Sequence, residues 1–245
     1  GIFEVGMSKP GEINQLSKMI KPNLAIITNI AEAHIENFKN IKGIAKAKSE
    51  IINNIQINGT VILNRDDKFF SFISNKAKSK KIKIVSFGNS TKSDIRLIKL
   101  EKSNKEKKIL IRIKNKNFSI KIKDANIYNV LASLAVLQEL KLDIKKTLNI
   151  FKNSHLTDGR GKIFNVKRYR KFFKLIDESY NANPLSVKNA IKNFSQIKKR
   201  NFKKYLLLGD MLELGKKSND YHSKLSKLIN NSDIDKVFVK GEKTL

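Results

Sequence analysis

The sequence predicts an α/β protein with a mostly parallel central sheet, helices on both of its faces and a small antiparallel section at about residues 94–123. A second α/β unit is predicted to follow. Three observations support this fold class. Apolar runs alternate with helical patterns in the first half, residues 94–123 alternate in steps of two, and strands and helices resume after residue 156. The 245 residues suffice for one large domain or two small ones.

The first part of the chain predicts strands separated by a helix. Residues 2–5 have the pattern of the inside of a strand, and the continuous apolar run at 24–30 is typical of a strand buried on both faces. Residues 40–55 place Ile at near-helical spacing and predict an amphipathic helix. Two more strands are predicted at 59–67 and 81–88, so strands and crossovers alternate as in a parallel sheet.

The pattern changes at residues 94–123. Ile or Leu alternates there with Lys or Arg, a two-residue period that indicates antiparallel strands with one solvent-facing side. We predict turns between these strands at 103–108 and 115–117. Helical spacing returns over 126–140 and again over 143–153.

We predict a domain boundary near His155 and Leu156, with one unit over residues 1–155 and a second over 156–245. A Gly-containing break opens the second unit. Strands are predicted there at 162–167, 171–177, 205–210 and 236–241, and helices at 184–194 and 222–230. Both ends of the chain fall inside the pattern of an element, so we expect an internal piece of a longer protein.

Charge and composition exclude several classes of protein. The chain has 51 Lys and Arg against 22 Asp and Glu, a net charge of +29, but only seven of the basic residues are Arg. Proteins that read nucleic acids favour Arg for bidentate contacts, so this Lys-rich bias does not predict nucleic-acid binding as the main function. The absence of Cys excludes disulfides and thiol catalysis. No apolar run reaches the roughly 20 residues of a membrane span, so we expect no membrane partner. We also expect the protein to be a cytoplasmic monomer.

Glu4 lies at the end of the strand predicted at 2–5, and His34 lies just after the strand predicted at 24–30. Both are therefore expected at the sheet edge where the ligands of open α/β proteins gather. A carboxylate and an imidazole at two such ends could share a metal ion or a phosphate. Taken alone, each of these residues is more often an ordinary surface or capping group.

Two further pairs lie on predicted helices. Lys48 and Lys46 follow His34 and project to different faces, because a helix turns about 100° per residue. Asn126 and Asn129 share the first turn of a later helix, near free backbone N–H groups, which suits an adenine edge or a phosphate. The alternatives are a solvated lysine and an ordinary helix cap.

The second unit offers another set of candidates. Asp177 and Asp210 each close an apolar strand and so lie at the ligand-facing edge of a sheet, although an Asp at this place is as often a capping residue. Arg160 lies between two glycines, and Asn181 and Asn183 follow Asp177 in one loop. The chain contains no complete phosphate-binding loop with the required Gly and Lys spacing.

Five segments, in order along the chain, resemble the Mur ligase family, and within it the ligases that add D-alanyl-D-alanine. The segments are residues 4–13, 27–51, 156–164, 177–187 and 206–215. Each is weak by itself, but together they extend over nearly the whole chain. The resemblance implies a central ATP-binding domain over 1–155, a Rossmann-like C-terminal domain over 156–245, and ATP and Mg²⁺ as cofactors.

The reaction implied by the resemblance is ATP-dependent amide formation in peptidoglycan synthesis. ATP phosphorylates the terminal carboxylate of UDP-N-acetylmuramoyl-tripeptide, and the amine of D-alanyl-D-alanine then attacks the acyl phosphate. By resemblance, Glu4 and His34 hold Mg²⁺ together with Lys48, which corresponds to the family's carbamylated lysine. Lys46 is the alternative if the register of the match slips.

The remaining candidates are assigned to ligands by the same resemblance. Asn126 and Asn129 match asparagines near the nucleotide, Arg160 an arginine that approaches the phosphates, and Asp177 an acid near the ribose. The residues expected at the incoming dipeptide or in the loop beside it are Asn181, Asn183, Asp210, Glu213 and His222.

The chain also departs from the family pattern. The family's phosphate-binding loop is expected upstream of Glu4, with the UDP-binding domain before it, and the Gly-Arg-His sequence expected before Asn126 is missing. We therefore expect this piece to be inactive by itself.

Two alternatives stay open. The first is another Mur-type ligase or folylpolyglutamate synthase, from which residues 210–215 would distinguish this chain. The second is a non-catalytic module whose Lys-rich surface binds RNA or anionic lipid. That module would show binding that falls steeply with salt.

Overall fold

The structure is a computed structural model that describes residues 1–102, 107–123, 125–152, 157–198 and 201–244. The chain divides into two compact units. Gly1–Ile30 and Lys42–His155 form the first unit, and Ala31–Ile41 and Leu156–Leu245 form the second. Residues 31–41 thus group with the C-terminal part of the chain. The predicted boundary residues, His155 and Leu156, lie outside the described residues.

The first unit alternates helices and strands and then forms a three-stranded meander. Its elements are α1 (Glu12–Ile20), β1 (Leu24–Ile27), α2 (Ile41–Lys48), β2 (Thr60–Asn64), α3 (Phe70–Ser79), β3 (Lys83–Gly88), β4 (Ile95–Lys102), β5 (Lys107–Ile113), β6 (Lys116–Ile122), α4 (Ile127–Glu139) and α5 (Ile144–Lys152). A 3₁₀ segment, Ser49–Asn54, continues α2.

The six strands form one sheet in the order β1-β2-β3-β4-β5-β6. The pairs from β1 to β4 are parallel, and the β4–β5 and β5–β6 pairs are antiparallel. The predicted α/β class and its antiparallel section are therefore confirmed. Of the predicted turns, residues 103–106 lie outside the described residues, and the second turn falls at Lys114 and Asn115.

The centre of the first unit is β2, which is buried on both faces. Ile62 belongs to a cluster with Phe87 of β3 and Leu131 of α4. Leu63 faces the other way, because successive side chains of a strand alternate, and it lines a small cavity with Ile73 of α3. Helices thus cover both sides of the sheet, as predicted.

Several local predictions are wrong. Residues 2–5 form no strand, because a strand needs a neighbour to pair its backbone, and Ile2 and Phe3 are exposed instead. Residues 24–30 do not form a strand buried on both faces, because β1 ends at Ile27 and the outer side of Ile26 is exposed. The α-helix predicted over 40–55 ends at Lys48 and continues as the 3₁₀ segment.

The second unit contains the predicted strands and helices after residue 156. They are β7 (Lys162–Arg168), β8 (Lys171–Asp177), α6 (Pro184–Ser195), β9 (Tyr205–Gly209), α7 (Ser218–Asn230) and β10 (Lys236–Lys240). β7 and β8 form an antiparallel hairpin, whereas β9 and β10 pair in parallel. The unit's core joins Ile191 of α6 and Leu225 of α7 to Met211 and Leu214.

Among the described residues, no helix has both the length and the apolar character needed to cross a membrane.

We expect Ile111→Ala to lower the free energy of unfolding of the first unit by about 2–5 kcal/mol, because the Ile111 side chain is 0% exposed. Urea denaturation followed by circular dichroism measures this change. The matched control is Ile57→Ala, since Ile57 is 91% exposed and its truncation should alter stability by no more than about 0.5 kcal/mol. Equal midpoints for the two variants would contradict the position of this core.

Candidate functional site

Lys48 ends α2 in a half-buried position within the first unit. Its Nζ donates a hydrogen bond of 3.3 Å to the backbone carbonyl of Asn29, just after β1. Burial lowers the pKa of Lys48, and the nearby Asp67 carboxylate partly offsets this effect. A larger fraction of this amine is therefore uncharged and nucleophilic than for a lysine in water.

Lys46 has a different environment two residues earlier, because its side chain is exposed. The end of α2 is fixed by Lys76 of α3, whose Nζ donates to the Ser49 carbonyl at 2.8 Å. The Ser49 hydroxyl in turn donates to the Lys46 carbonyl at 2.7 Å. These bonds hold the turn that follows Lys48, so they position its backbone.

Glu4 lies exposed in residues 1–7, which contain neither helix nor strand. The structure therefore gives Glu4 no fixed support of the kind that β1 and α2 give Lys48. Its predicted part in a metal site stays a prediction.

The start of α4 carries Asn126 and Asn129, both exposed. The Asn126 side-chain oxygen accepts hydrogen bonds from the Tyr128 and Asn129 backbone N–H groups, at 2.9 and 3.3 Å. Asn126 is thus the helix N-cap, one of the two roles that the sequence left open. Only the amide nitrogen of its side chain stays available to a ligand without breaking the cap.

Tyr128 ties the start of α4 to the ends of β2 and β3. Its hydroxyl donates to Asp66 at 2.8 Å, and Asp66 also accepts from the Asn89 and Ser90 N–H groups, at 2.5 and 3.0 Å. A Cβ at Gly88 would lie 2.5 Å from the Asp66 carboxylate, so only glycine fits there. Asp66, which sequence reasoning did not single out, shapes the loop beside the predicted nucleotide-binding helix.

In the second unit, His34 and Glu213 meet at one cavity of about 230 Å³. The Glu213 carboxylate directly contacts the His34 ring nitrogen Nδ1. Both residues adopt left-handed backbone conformations, with φ of 56° and 60°. The full lining is Glu32, Ala33, His34, Asn181, Ala182, Asn183, Leu212 and Glu213.

The cavity is smaller than the roughly 300–1,000 Å³ of sites for drug-sized ligands, and its polar lining suits a small polar molecule. Asn183 contributes to it while capping α6, because its side-chain oxygen accepts from the Ser186 N–H at 2.9 Å. The sequence predicted four of these residues (His34, Asn181, Asn183 and Glu213), and the structure brings them together around this cavity. Glu32 and Leu212 were missed, although they lie in the family-like segments 27–51 and 206–215.

Arg160 extends from the loop before β7 and stacks on Tyr180, with its guanidinium carbon 4.2 Å from the ring centroid. Two backbone bonds join the loops, from Gly161 to the Asp177 carbonyl at 2.7 Å and from Tyr180 to the Gly159 carbonyl at 3.1 Å. Stacking restricts an otherwise mobile, permanently charged group. Tyr180 therefore positions Arg160, a role that sequence reasoning missed.

Asp177 ends β8, and its carboxylate accepts hydrogen bonds from groups in the same loops. It accepts from the Ser179 hydroxyl at 2.6 Å and the Ser179 N–H at 3.0 Å, and from the Gly159 N–H at 3.1 Å. The Ser179 hydroxyl is the main cause that lowers the pKa of this carboxyl. The predicted ribose contact of Asp177 stays a prediction.

Asp210 and His222 are also engaged inside the second unit. Asp210 accepts from the N–H groups of residues 242–244 at 2.9 to 3.3 Å and from the Thr244 hydroxyl at 2.8 Å. His222 is 6% exposed, with Nε2 accepting from the Met211 N–H at 2.9 Å and Nδ1 lying 2.8 Å from the Ser218 carbonyl. Neither residue lines the cavity, so their predicted contact with a dipeptide stays a prediction.

A metal site formed by unmodified side chains is not present in the described ranges. No three His, Asp or Glu side chains there come close enough together to hold a metal ion. A site that includes Lys48 would need that lysine to gain an oxygen ligand first.

We expect Tyr128 to be the last of the five tyrosines to lose its proton, because burial and its hydrogen bond to Asp66 raise its pKa to about 12. The neutral phenol is thus favoured by folding. The stabilisation that comes from this neutral phenol is complete below about pH 10, the pKa of an unfolded tyrosine. It is lost as the pH rises through about 12. Tyrosinate absorbance measures the titration.

The control for this prediction is Tyr128→Phe, which should lack the late absorbance step. The stability difference between wild type and this variant should shrink as the pH rises above about 10. Five tyrosines titrating together near pH 10 would contradict the Tyr128–Asp66 bond.

Comparison with known proteins identifies two family models along the chain. The Mur ligase middle domain matches residues 1–137, and the Mur ligase glutamate ligase domain matches residues 164–245. A UDP-N-acetylmuramoyl-tripeptide–D-alanyl-D-alanine ligase of Rickettsia prowazekii is 35% identical over 249 residues, which is 99% of this chain and 54% of that protein.

Solved structures agree in fold. A crystal structure of MurF from Acinetobacter baumannii has 27% identity and a TM-score of 0.84, covering 97% of this chain and 51% of that one. A MurF ligase from Thermotoga maritima in complex with ADP has 23% identity and a TM-score of 0.83, covering 98% of this chain and 54% of that one. The chain spans about half the length of the relatives it matches. Because the middle-domain model alone matches more than half of its residues, this chain belongs to the Mur ligase family.

Proposed function

We propose that this chain is the middle and C-terminal part of an ATP-dependent ligase that joins D-alanyl-D-alanine to UDP-N-acetylmuramoyl-tripeptide in peptidoglycan synthesis. The strongest support is the cavity where His34, Asn181, Asn183 and Glu213 meet, because segments far apart in sequence converge there on a space suited to a small polar molecule. The Rickettsia prowazekii relative is named for the same reaction.

In the proposed reaction, the tripeptide carboxylate takes the terminal phosphoryl group of ATP and becomes an acyl phosphate, with ADP released. The amine of the dipeptide attacks the acyl carbon, an amide bond forms, and phosphate leaves with a proton released to solvent. Phosphoryl transfer depends mainly on alignment and charge neutralisation. Arg160, held on Tyr180, supplies a fixed positive charge for the phosphoryl oxygens.

We propose that the nucleotide binds to Asn126 and Asn129 at the start of α4. Arg160 and Asp177 of the second unit are proposed to contact the same nucleotide. We propose ATP as the cosubstrate, and the MurF ligase from Thermotoga maritima was solved in complex with ADP. Asn126 would act through its amide nitrogen, because its oxygen caps α4.

We propose Mg²⁺ as the metal ion, held by Glu4, His34 and a carbamylated Lys48. This donor set, two carboxylate-type groups and one imidazole, suits a hard cation. When bound, Mg²⁺ would neutralise charge on the phosphates. Carbamylation joins the uncharged Lys48 amine to CO₂ through a new N–C bond and releases one proton, and the lowered pKa of Lys48 favours it.

The dipeptide is proposed to bind at the cavity of the second unit through Asn181, Asn183 and Glu213. Asp210 and His222 would support this region from within, given their bonds to the 242–244 backbone and to Met211. We also propose a central domain over residues 1–155 and a C-terminal domain over 156–245; the family-model matches over 1–137 and 164–245 support two domains in this order. We further propose a cytoplasmic monomer that acts without nucleic acid or membrane.

The test is a coupled phosphate-release assay on the gene product at its natural length, with ATP, Mg²⁺, UDP-N-acetylmuramoyl-tripeptide and D-alanyl-D-alanine. Release that requires the dipeptide would support the proposal. Release driven by a single amino acid would assign the chain to a sister ligase. No release from a folded protein would refute the ligase proposal and favour a basic binding module.

We expect Lys48→Ala to reduce turnover in this assay by about a hundredfold or more, with a much smaller effect on ATP affinity, because it removes a ligand that acts on the transferring phosphoryl group. Added bicarbonate should not restore activity. The matched control is Lys46→Ala on the same helix, which removes an exposed lysine and should leave turnover within a few-fold. Loss with Lys46→Ala but not with Lys48→Ala would show that the register is wrong.

A further inference from the structure

His34 and Glu213 contact each other while both adopt a left-handed backbone conformation, with φ of 56° and 60°. Residues other than glycine seldom adopt this conformation, and those that do are held there by their surroundings, often at functional sites. One such constraint is visible, because the Glu36 N–H donates to the Glu213 carbonyl at 3.2 Å. The fold of the second unit therefore holds these two residues face to face.

The two sides of the His34 ring differ in their environment. The side chain is 30% exposed, yet Nδ1 is shielded from solvent, and no aligned hydrogen bond reaches it from the described residues. The Glu213 carboxylate is the group that faces Nδ1. A buried ring nitrogen without a partner is unfavourable, so this carboxylate is its natural acceptor.

We propose that Glu213 is a positioning residue for His34, accepting a hydrogen bond from the Nδ1–H group and so fixing the ring's tautomer and orientation. In that tautomer Nε2 carries the lone pair, through which a neutral imidazole can bind a metal ion. The inference rests on the proposed function, since it assumes that His34 binds a cation. It gives Glu213 a second task beside its proposed contact with the dipeptide.

A second acidic residue offers a matched comparison. Glu32 lines the same cavity, but its charge acts on Tyr221, where it contributes to a raised pKa. The carboxylate that contacts Nδ1 of His34 is that of Glu213. Removing the charge of Glu32 should therefore leave the His34 tautomer unchanged.

The test reads the tautomer directly, without metal or nucleotide. Long-range ¹H–¹⁵N NMR on the labelled 245-residue chain, at a pH where imidazoles are neutral, reports which ring nitrogen carries the proton in each of the three histidines. We expect the Nδ1–H form at His34. Glu213→Leu should lower the ratio of Nδ1–H to Nε2–H roughly tenfold, because a hydrogen bond to a charged acceptor is lost.

The control variants make the result specific. Glu213→Gln keeps an acceptor oxygen and should retain part of the ratio, whereas Glu32→Gln should not change it. His222 reports on folding in every variant, because its Nδ1 lies 2.8 Å from the Ser218 carbonyl and should stay protonated. If Glu213→Leu disturbs the His222 signal, Glu213→Gln decides. A partial fall in its ratio supports the proposal, and no change overturns it.

An Nε2–H tautomer at His34 in the wild type, or an unchanged ratio in Glu213→Leu, would also overturn the proposal.

A second readout uses the natural-length enzyme. The Mg²⁺ concentration for half-maximal phosphate release should rise roughly 10–100-fold in Glu213→Leu. A raised KM for the dipeptide with unchanged Mg²⁺ dependence would overturn the positioning role and leave Glu213 with the dipeptide contact alone. Failure of the proposed function would appear separately, as no dipeptide-dependent release from the wild type.

Discussion

Both units depend on the same interaction, an aspartate at the end of one parallel strand that binds the backbone N–H groups of the loop after the neighbouring strand. Asp66 follows β2 and holds the loop after β3, and Asp210 follows β9 and holds the loop after β10. In each loop a glycine, Gly88 or Gly241, approaches the carboxylate so closely that a Cβ would collide with it. The ligand-facing edge of each sheet is thereby fixed before any ligand binds.

This use of carboxylates separates the residues that shape the edge from those that can act on a ligand. Asp66, Asp177 and Asp210 each accept several hydrogen bonds from backbone or hydroxyl groups, so the oxygens of these carboxylates are already engaged within the fold. Chemistry therefore falls to other side chains, such as Lys48 in the first unit and the His34–Glu213 pair in the second. The family reaction fits this division, because alignment and charge are what a phosphoryl transfer requires.

Most of the fold could be predicted because its signals are local. The alternation of Ile and Lys marked β4 to β6, and apolar runs marked β9 and β10. The strand predicted at residues 2–5 is absent, because a strand forms only where a neighbouring strand pairs with its backbone, and apolar content alone does not reveal such a neighbour. The role of Asp210 was equally hidden, because its bonding partner Thr244 lies 34 residues away. Helix α3 was missed although Ile73 and Ala77 have helical spacing, a signal that the sequence does contain.

If the small polar ligand binds in the cavity lined by His34, Asn181, Asn183 and Glu213, and Asp210 only shapes the edge, the two regions should respond differently to that ligand. An ¹⁵N-resolved NMR titration of the chain with D-alanyl-D-alanine measures both responses. We expect shifts of the Asn181 and Asn183 side-chain amides and of the Glu213 backbone amide, with the amides of residues 242–244 unchanged. Shifts confined to residues 242–244, or no shifts anywhere at saturating dipeptide, would contradict this expectation.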